Sequence, residues 1–153
     1  MIKLASFSLL TETAIEPSFD YLTDMTNFAE WFPQVIRIVE KDDRHIGVGK
    51  TWLEDVKVPG QGIQPVAVSV VDYQPNTYFA TEGELDGIQP RMEIRWSTAP
   101  SGRTKIDWRF YSRNTRWTLR LLSPLLRSVM GKRARQAERQ LQYKLTAMQA
   151  SAD

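Results

Sequence analysis

Two glutamates in one extended stretch have the residue type and spacing that proton transfer requires. Glu82 and Glu84 are two residues apart, so both would lie on the same face of a strand. If that face were buried, desolvation would raise their pKa values towards neutrality. Tyr78, helped by an arginine such as Arg95 or Arg109, could assist the transfer. This pattern is compatible with an enzyme that moves protons.

A surface interpretation of the same glutamates is simpler. Most acidic residues of antiparallel strands face water, and Arg91, Arg95 and Arg109 are available to form cross-strand ion pairs with them. The chain contains no recognisable catalytic motif. We therefore predict no catalytic residue and favour a non-enzymatic role, while proton transfer by Glu82, Glu84 or Tyr78 stays open as the alternative.

The single histidine gives little support to other chemistry. His45 lies in the polar stretch 42–47, between two candidate strands, where a solvated turn is the expected environment. The chain has no cysteine, which excludes thiol nucleophiles, disulfides and cysteine-bound metals. Carboxylates and histidines do not cluster at metal-ligand spacing. We predict neither a metal nor a cofactor.

Tryptophans are abundant enough to shape a binding site. Large amphipathic rings can line a cavity for an aromatic or isoprenoid molecule, and their indole N–H groups can orient it; equally, they can fill the core. The five are Trp31, Trp52, Trp96, Trp108 and Trp117. Trp96 and Trp108, on the apolar faces of neighbouring strands, are the best candidates for a cavity wall, with Trp31 and Phe32 near its entrance.

The elements that must position these residues begin with a strand and two short helices. Residues 2–13 lack Gly and Pro and suit a strand, and Pro17 suits the first turn of a helix that ends near residue 24. Asn27 and Glu30 have the spacing of a capping box at the start of a second helix. Pro33 ends that helix, because it restricts the residue before it.

The middle of the chain reads as successive antiparallel strands. Breakers stand at residues 47–49, 59–62, 74–76, 86–87 and 100–102. Asp86 and Gly87 favour a two-residue type I′ turn. Between the breakers, apolar and polar residues alternate, most clearly at Met92, Ile94 and Trp96. One face of the sheet is thus predicted to be apolar.

The last third changes to a helical period. Apolar residues recur at spacings of three and four: Leu122, Leu126, Val129, Met130, Ala134, Ala137, Leu141, Leu145 and Met148. Ser123 and Pro124 would start this helix well, although an earlier turn kinked at Pro124 is the alternative. Only a short polar tail, residues 151–153, follows it.

Basic residues concentrate on this helix. Arg116, Arg120 and Arg127 precede the cluster Lys132, Arg133, Arg135 and Arg139. These side chains could make transient contact with an anionic membrane surface. An ordinary solvated helix face explains them equally simply and is the interpretation we favour.

Composition limits the class of protein. A chain of 153 residues forms one domain, predicted over residues 1–150, and 42% hydrophobic with 25% charged residues is typical of a globular protein. A net charge of +2 gives no indication of nucleic-acid binding. Neither a signal-peptide pattern nor a run of about 20 apolar residues is present. We expect a cytoplasmic protein of unknown oligomeric state.

The element order is α+β: one strand, two short helices, six further strands and a long helix. Such a sheet has one face to cover, and the chain supplies one helix to cover it. The space between them is where a ligand pocket is expected.

Several motifs are familiar as well. Residues 17–24 (PSFDYLTD) and 27–33 (NFAEWFP), followed by 47–52 (GVGKTW) and 70–75 (VVDYQP), resemble the polyketide cyclase/dehydrase and START-like lipid-transfer superfamily (SRPBCC). The resemblance implies a helix-grip fold: a curved seven-stranded antiparallel sheet, two short helices after strand 1, and a long C-terminal helix on the concave face. It also implies an internal hydrophobic cavity, but it carries over no catalytic residue.

We therefore predict that the chain binds or carries a small hydrophobic molecule, such as a lipid, a quinone or a polyketide-like compound. The expected ligand-binding residues are Trp31, Phe32, Trp52, Tyr78, Trp96, Trp108, Phe110, Leu126 and Met130. Two alternatives are an enzyme of the cyclase or dehydrase kind, and a protein-interaction or quinone-chaperone module. The last would display an exposed apolar patch rather than a cavity.

Overall fold

The computed structural model describes residues 1–152 and contains one antiparallel sheet and one long helix. The elements are β1 (Ile2–Thr11), α1 (Ile15–Thr23), a 3₁₀ turn (Met25–Asn27), α2 (Phe28–Trp31), β2 (Val35–Glu40), β3 (Thr51–Val58), β4 (Gly62–Gln74), β5 (Tyr78–Glu84), β6 (Pro90–Thr98), β7 (Thr104–Ser112) and α3 (Trp117–Ala152). The predicted α+β helix-grip fold is confirmed.

Strands β2 to β7 form a meander, and β1 pairs with β7 at the edge opposite β2. The strand order is β1-β7-β6-β5-β4-β3-β2, and every neighbouring pair is antiparallel. Each break predicted from Gly, Pro and Asn lies at a connection between two strands, although Gly62 and Gln74 are themselves the first and last residues of β4. β2 is thus left at one edge and β1 at the other.

The predicted two-residue turn at Asp86 and Gly87 is wrong. Five residues, 85–89, connect β5 to β6, and the Gln89 N–H donates to the Leu85 carbonyl over 2.9 Å. Positive φ angles occur at Gly87 and Gln89, not at Asp86. A type I′ turn needs two consecutive residues with positive φ, so this wider loop replaces it.

The predicted capping box at Asn27 and Glu30 is also wrong. The 3₁₀ turn precedes α2, and its cap is Asp24, whose Oδ1 accepts the Thr26 N–H over 3.1 Å. Asn27 therefore already has helical backbone angles, and its side chain donates instead to the Tyr21 carbonyl. The Glu30 carboxylate accepts from the Tyr21 hydroxyl.

Helix α3 begins earlier than Ser123 and runs through Pro124 without ending. Proline has no N–H for the carbonyl of Arg120, four residues back. The Ser123 hydroxyl donates to that carbonyl over 2.8 Å and so replaces the missing bond. The expected polar tail is helical as far as Ala152, and Asp153 lies outside the described residues.

The inner face of α3 carries a slightly different apolar stripe from the predicted one. Leu119, Met130, Ala134, Ala137, Leu141 and Leu145 are buried, whereas the predicted Leu122 is 53% exposed. Leu119 and Ser123, four residues apart, continue the buried face towards the start of the helix instead. No helix within residues 1–152 is both long and apolar enough to cross a membrane.

Aromatic rings fill the core between the sheet and the helices. Trp108 is fully buried; its ring stacks on Phe7 with centroids 5.1 Å apart and lies 5.4 Å from Phe32. Trp96 meets Phe19 edge to face at 4.7 Å. These contacts join β1, β6 and β7 to residues 15–32, here called the short helical segment, and so fix the position of that segment over the sheet.

Replacing Trp108 with alanine should lower the free energy of unfolding by about 3–5 kcal/mol, because it empties a fully buried site. The matched control is Trp117→Ala, since Trp117 is 72% exposed; its effect should stay within about 0.5 kcal/mol. Urea unfolding measures both values. Equal values for the two variants would contradict this description of the core.

Candidate ligand-binding cavity

A cavity lies between the inner face of the sheet and the first half of α3. Strands β2 to β7, the β5–β6 connection, the short helical segment and α3 all contribute to its wall. The volume open to the centre of a water molecule is about 100 Å³, whereas one water needs about 10–15 Å³ on this measure. The cavity therefore has room for a small organic molecule.

The wall of this cavity is almost wholly apolar. Three polar side chains reach it: Glu54 from β3, Thr81 from β5 and Arg133 from α3. An apolar wall contributes binding affinity but does not fix the orientation of a ligand. These three polar groups are therefore the ones that can orient it.

Period-two alternation places Glu54 in the interior. Trp52, Glu54 and Val58 are the buried residues of β3 and lie on one face of the strand. Directly opposite Glu54 in the two adjoining ladders are Ile38 of β2 and Val66 of β4. Both neighbours are apolar, so the sheet offers this carboxyl no hydrogen-bonding side chain.

Glu54 lacks a partner elsewhere too. Among residues 1–152, no group donates a hydrogen bond to its carboxyl and no cation forms an ion pair with it. The side chain is nevertheless buried, with 7% of the residue exposed. Burial alone raises the pKa of Glu54 to about 8. At neutral pH the group is therefore a protonated carboxylic acid, able to donate one hydrogen bond.

Strand β5, on the other side of β4 from β3, forms a further part of the wall. Thr81 and Gly83 point inward from it, and Thr81 is 3% exposed. A Cβ atom on Gly83 would lie 3.0 Å from side-chain atoms of both Val66 and Pro90. A glycine at this position therefore lets the side chains of Val66 from β4 and Pro90 from β6 pack closely against the backbone of β5.

Arg133 stands where the cavity opens. Its guanidinium donates to the Lys57 carbonyl over 3.0 Å, which ties α3 to the end of β3. Partial burial lowers the pKa of Arg133 below its usual value. Its charge is thus held at the rim, against the apolar wall.

Four of the predicted ligand-binding residues line the cavity: Phe32, Phe110, Leu126 and Met130. The structure brings them together from α2, β7 and α3. It does not bring Trp31, Trp52, Trp96 and Trp108 to the wall; each is at most 3% exposed and packs in the core. Their indole N–H groups have no acceptor among the described residues, so they contribute packing rather than orientation.

Tyr78, the remaining predicted residue, points away from the cavity. The inward positions of β5 are Thr81 and Gly83, so Tyr78 shares the outer face with Glu82 and Glu84. Its ring lies under the Arg95 guanidinium, 4.7 Å from the ring centroid.

The glutamate pair forms surface ion pairs, as the simpler interpretation predicted. Glu82 binds Arg91 at 2.7 Å and Arg113 at 3.3 Å, and Glu84, which is 70% exposed, lies 3.6 Å from Arg113. Arg113 takes the place predicted for Arg95 and Arg109. Proton transfer inside the cavity by Glu82, Glu84 or Tyr78 is therefore excluded by their position.

His45 is exposed in the connection between β2 and β3. Within residues 1–152, no three His, Asp or Glu side chains are grouped closely enough to hold a metal ion.

Glu54 was not predicted as a site residue, although the sequence contains a signal for it. Counting in twos from the apolar Trp52 reaches Glu54, then Val56 and Val58. An acid on the apolar phase of a strand is the pattern that indicates a buried carboxyl.

The sequence also matches a known family. A family described as polyketide cyclase / dehydrase and lipid transport matches residues 14–146, and the chain belongs to this family. No curated protein matches the chain.

Solved structures share its fold. A START superfamily protein from Mycobacterium smegmatis has a TM-score of 0.71 and 12% identity, over 95% of this chain and 99% of its own. DR_A0006 from Deinococcus radiodurans has a TM-score of 0.70 and 12% identity, over 96% and 98%. The di-domain ARO/CYC StfQ from the steffimycin biosynthetic pathway has a TM-score of 0.75 and 14% identity, with 97% of this chain matching 52% of StfQ. The chain thus corresponds to about half of StfQ, and at these identities the likeness concerns the fold.

Replacing Glu54 with glutamine should make the free energy of unfolding less dependent on pH. The unfolded chain loses the Glu54 proton near its ordinary pKa of 4.5, whereas the folded protein keeps it to about 8. The folded state therefore holds more protons between these values, and the stability of the parent falls as the pH rises through them. Glu54→Gln removes this loss. The free energy of unfolding of the variant, minus that of the parent, should therefore increase by a few kcal/mol between about pH 5 and pH 8.

Urea unfolding at both pH values measures the effect. Glu84→Gln is the matched control, because Glu84 is an exposed carboxylate of the same sheet. A stability difference between Glu54→Gln and the parent that stays constant with pH would contradict the raised pKa.

Proposed function

We propose that the chain binds and carries a small hydrophobic molecule in the cavity between the sheet and α3. The observation that carries this proposal is an apolar cavity with room for an organic molecule and only three polar side chains on its wall. Moving apolar surface from water into such a space contributes about 25 cal/mol per Å². A family description that includes lipid transport supports the same function. A lipid, a quinone or a polyketide-like compound has the required chemistry.

Filling the cavity from the helix side should abolish binding without unfolding the protein. Val129 lines the cavity and is partly exposed at its opening, so a tryptophan in its place can occupy the space. We expect Val129→Trp to bind the neutral apolar dye N-phenyl-1-naphthylamine at least about tenfold more weakly than the parent. Dye fluorescence during titration measures the dissociation constant.

The control is Ser128→Trp on the neighbouring residue, which is exposed and does not line the cavity. It should bind the dye as the parent does. If Val129→Trp, shown to be folded by circular dichroism, also bound the dye as tightly as the parent, the cavity would not be the binding site.

A second candidate function is an enzyme of the cyclase or dehydrase kind, and Glu54 is the observation that favours it. A carboxyl with a pKa of about 8 can take up and release a proton near neutral pH. It is the only carboxyl among the described residues that line the cavity. The wall therefore supplies one acid–base group and a threonine hydroxyl, Thr81, that could hold a substrate oxygen.

Exchange of the protons next to the carbonyl of 1-tetralone, followed by NMR in D₂O, tests for this activity. An enzyme should accelerate the exchange over buffer, and Glu54→Gln should lose that acceleration while Glu84→Gln keeps it. Exchange at the buffer rate with the parent protein would leave carriage as the function.

The third hypothesis, an interaction module, requires an exposed apolar patch. Such a patch exists near the start of α3, where Leu121 and Leu125 are largely exposed. It occurs together with the cavity rather than in place of it.

A further inference from the structure

A purely hydrocarbon ligand would leave the carboxyl of Glu54 without a hydrogen-bond partner. A protonated carboxyl in an apolar space has a hydrogen-bond donor to satisfy, and a buried donor without a partner costs about 1–3 kcal/mol in general. The hydroxyl of Thr81 reaches the same space. The cavity thus has apolar walls and donors that the described chain does not itself use.

We propose that Glu54 recognises a carbonyl oxygen on the bound molecule by donating its carboxyl proton to it. This inference rests on the proposed function, and it narrows the ligand to apolar molecules that carry a ketone, quinone or ester oxygen at their buried end.

The surroundings of Glu54 favour a neutral acceptor over a charged group. Ile38 of β2 and Val66 of β4 lie directly beside it in the sheet, and Thr81 and Gly83 of β5 line the same cavity. The helical segment presents Met25, Phe28 and Phe32. Arg133 from α3 is the only other ionisable side chain on the described wall, and no ion pair joins it to Glu54. An anionic group beside Glu54 would be desolvated without a counter-charge.

The test uses two probes of similar shape, 1-tetralone and tetralin, of which only the ketone has a hydrogen-bond acceptor. Their dissociation constants are measured by displacement of N-phenyl-1-naphthylamine from the parent, Glu54→Leu and Glu54→Gln. The quantity compared is the preference for the ketone, defined as the dissociation constant of tetralin divided by that of tetralone. Comparing this ratio between variants cancels the different hydration of the probes.

At about pH 6 the preference should be about tenfold larger in the parent than in Glu54→Leu. Raising the pH to about 9.5 should remove the preference in the parent, because an ionised carboxylate cannot donate. Glu54→Gln should keep its preference at both pH values, since the amide still donates. Arginine side chains do not lose their proton in this pH range, so Arg133 does not produce this pattern.

An equal preference in the parent and Glu54→Leu at about pH 6 would overturn the inference. If Glu54→Leu nevertheless binds tetralin, carriage in the cavity survives that result. Failure of all variants and the parent to bind either probe or the dye would instead overturn the proposed function itself.

A separate observation concerns the outer face of α3. Trp117, Leu121, Leu122 and Leu125, here called the α3 apolar stripe, are each at least 53% exposed. Three of them recur every four residues and therefore lie along one side of the helix. Large apolar residues concentrated in this way mark an interaction surface.

The charge beside the stripe is one-sided. Residues 113–137 contain no Asp or Glu and seven basic residues: Arg113, Arg116, Arg120, Arg127, Lys132, Arg133 and Arg135. Of these seven, only Arg113 forms an ion pair within residues 1–152, and the other six form none. An apolar stripe with unpaired arginines beside it is the pattern of a helix that lies on an anionic membrane surface.

The stripe also continues into the cavity opening. Leu126 and Val129, which follow Leu122 and Leu125 on the helix, line the cavity. We infer that the α3 apolar stripe docks onto an anionic lipid bilayer, so that the cavity opens beside the membrane surface. From the basic residues alone, membrane contact was the less favoured interpretation. The exposure of Trp117 and the leucines, which required the structure, is the observation that now favours it.

Vesicle co-sedimentation tests the docking. The protein should sediment with phosphatidylcholine vesicles that contain phosphatidylglycerol, less with phosphatidylcholine alone, and less when salt is added. The double variant Leu121→Ser/Leu125→Ser should lose at least about tenfold in affinity. Val48→Ser, at a similarly exposed residue of the β2–β3 connection, should bind as the parent does.

Tryptophan emission provides a second readout, because Trp117 is the only exposed tryptophan among the described residues. Emission of the parent should shift to the blue on addition of the mixed vesicles, and that of Trp117→Phe should not. Binding by Leu121→Ser/Leu125→Ser equal to that of the parent would overturn the docking. So would self-association of the parent that this double variant abolishes, because the stripe would then be a dimer surface.

Discussion

The structure depends on one constraint: the inner face of a seven-stranded sheet has a single long helix to cover it. Leu141 and Leu145 in the second half of α3 are almost completely buried, and the Leu145 carbonyl accepts a hydrogen bond from Thr13 beyond the end of β1. This half of the helix therefore closes the core. In the first half the helix meets the sheet less completely, and the space left over is the cavity. The short helical segment closes the side of that space with Phe28 and Phe32.

Against this apolar background, Glu54 is the residue that a sequence selected for stability alone would not contain. A buried carboxyl without a partner lowers the stability of the fold, and an apolar residue would pack against Ile38 and Val66 at no such cost. Departures of this kind from local consistency are expected at functional sites. Charged groups on the outer face, by contrast, are paired with each other: Arg91 contacts both Glu82 and Glu93. The polar chemistry of the two faces of the sheet is thus separated, with pairing outside and an unused donor inside.

Much of the fold could be predicted from periodicity and breakers. The alternation at Ile94 and Trp96 gave the inner face of β6, and Gly and Pro marked each strand connection. The predictions that failed were those in which one local motif was read without its neighbours. Asn27 and Glu30 have the spacing of a capping box, but the 3₁₀ turn before them shifts the cap to Asp24. For Pro124 the sequence left both a helix start and an earlier turn open, and it could not decide between them because the compensating hydroxyl of Ser123 cannot be foreseen from spacing.

The site was predicted less well, for a physical reason. Tryptophans were expected at the cavity wall because their rings are large. Large rings are also the side chains that bury the most apolar surface in a close-packed core, and Trp96 and Trp108 lie there. The wall contains phenylalanines, among them the predicted Phe32 and Phe110, but no tryptophan, and most of it consists of mid-sized residues such as Val66, Val68 and Met130. Which of the inward-facing residues border a gap depends on the distance between α3 and the sheet, and a strand pattern does not contain that distance.

The measurement that tests the central claim most directly is native mass spectrometry of the freshly purified protein, followed by denaturing extraction and identification of any released compound. The account predicts a mass above that of the 153-residue chain, lost on denaturation, and an extracted apolar molecule that carries a carbonyl oxygen. A protein that has no added mass, and that also fails to take up a neutral apolar dye, would contradict it.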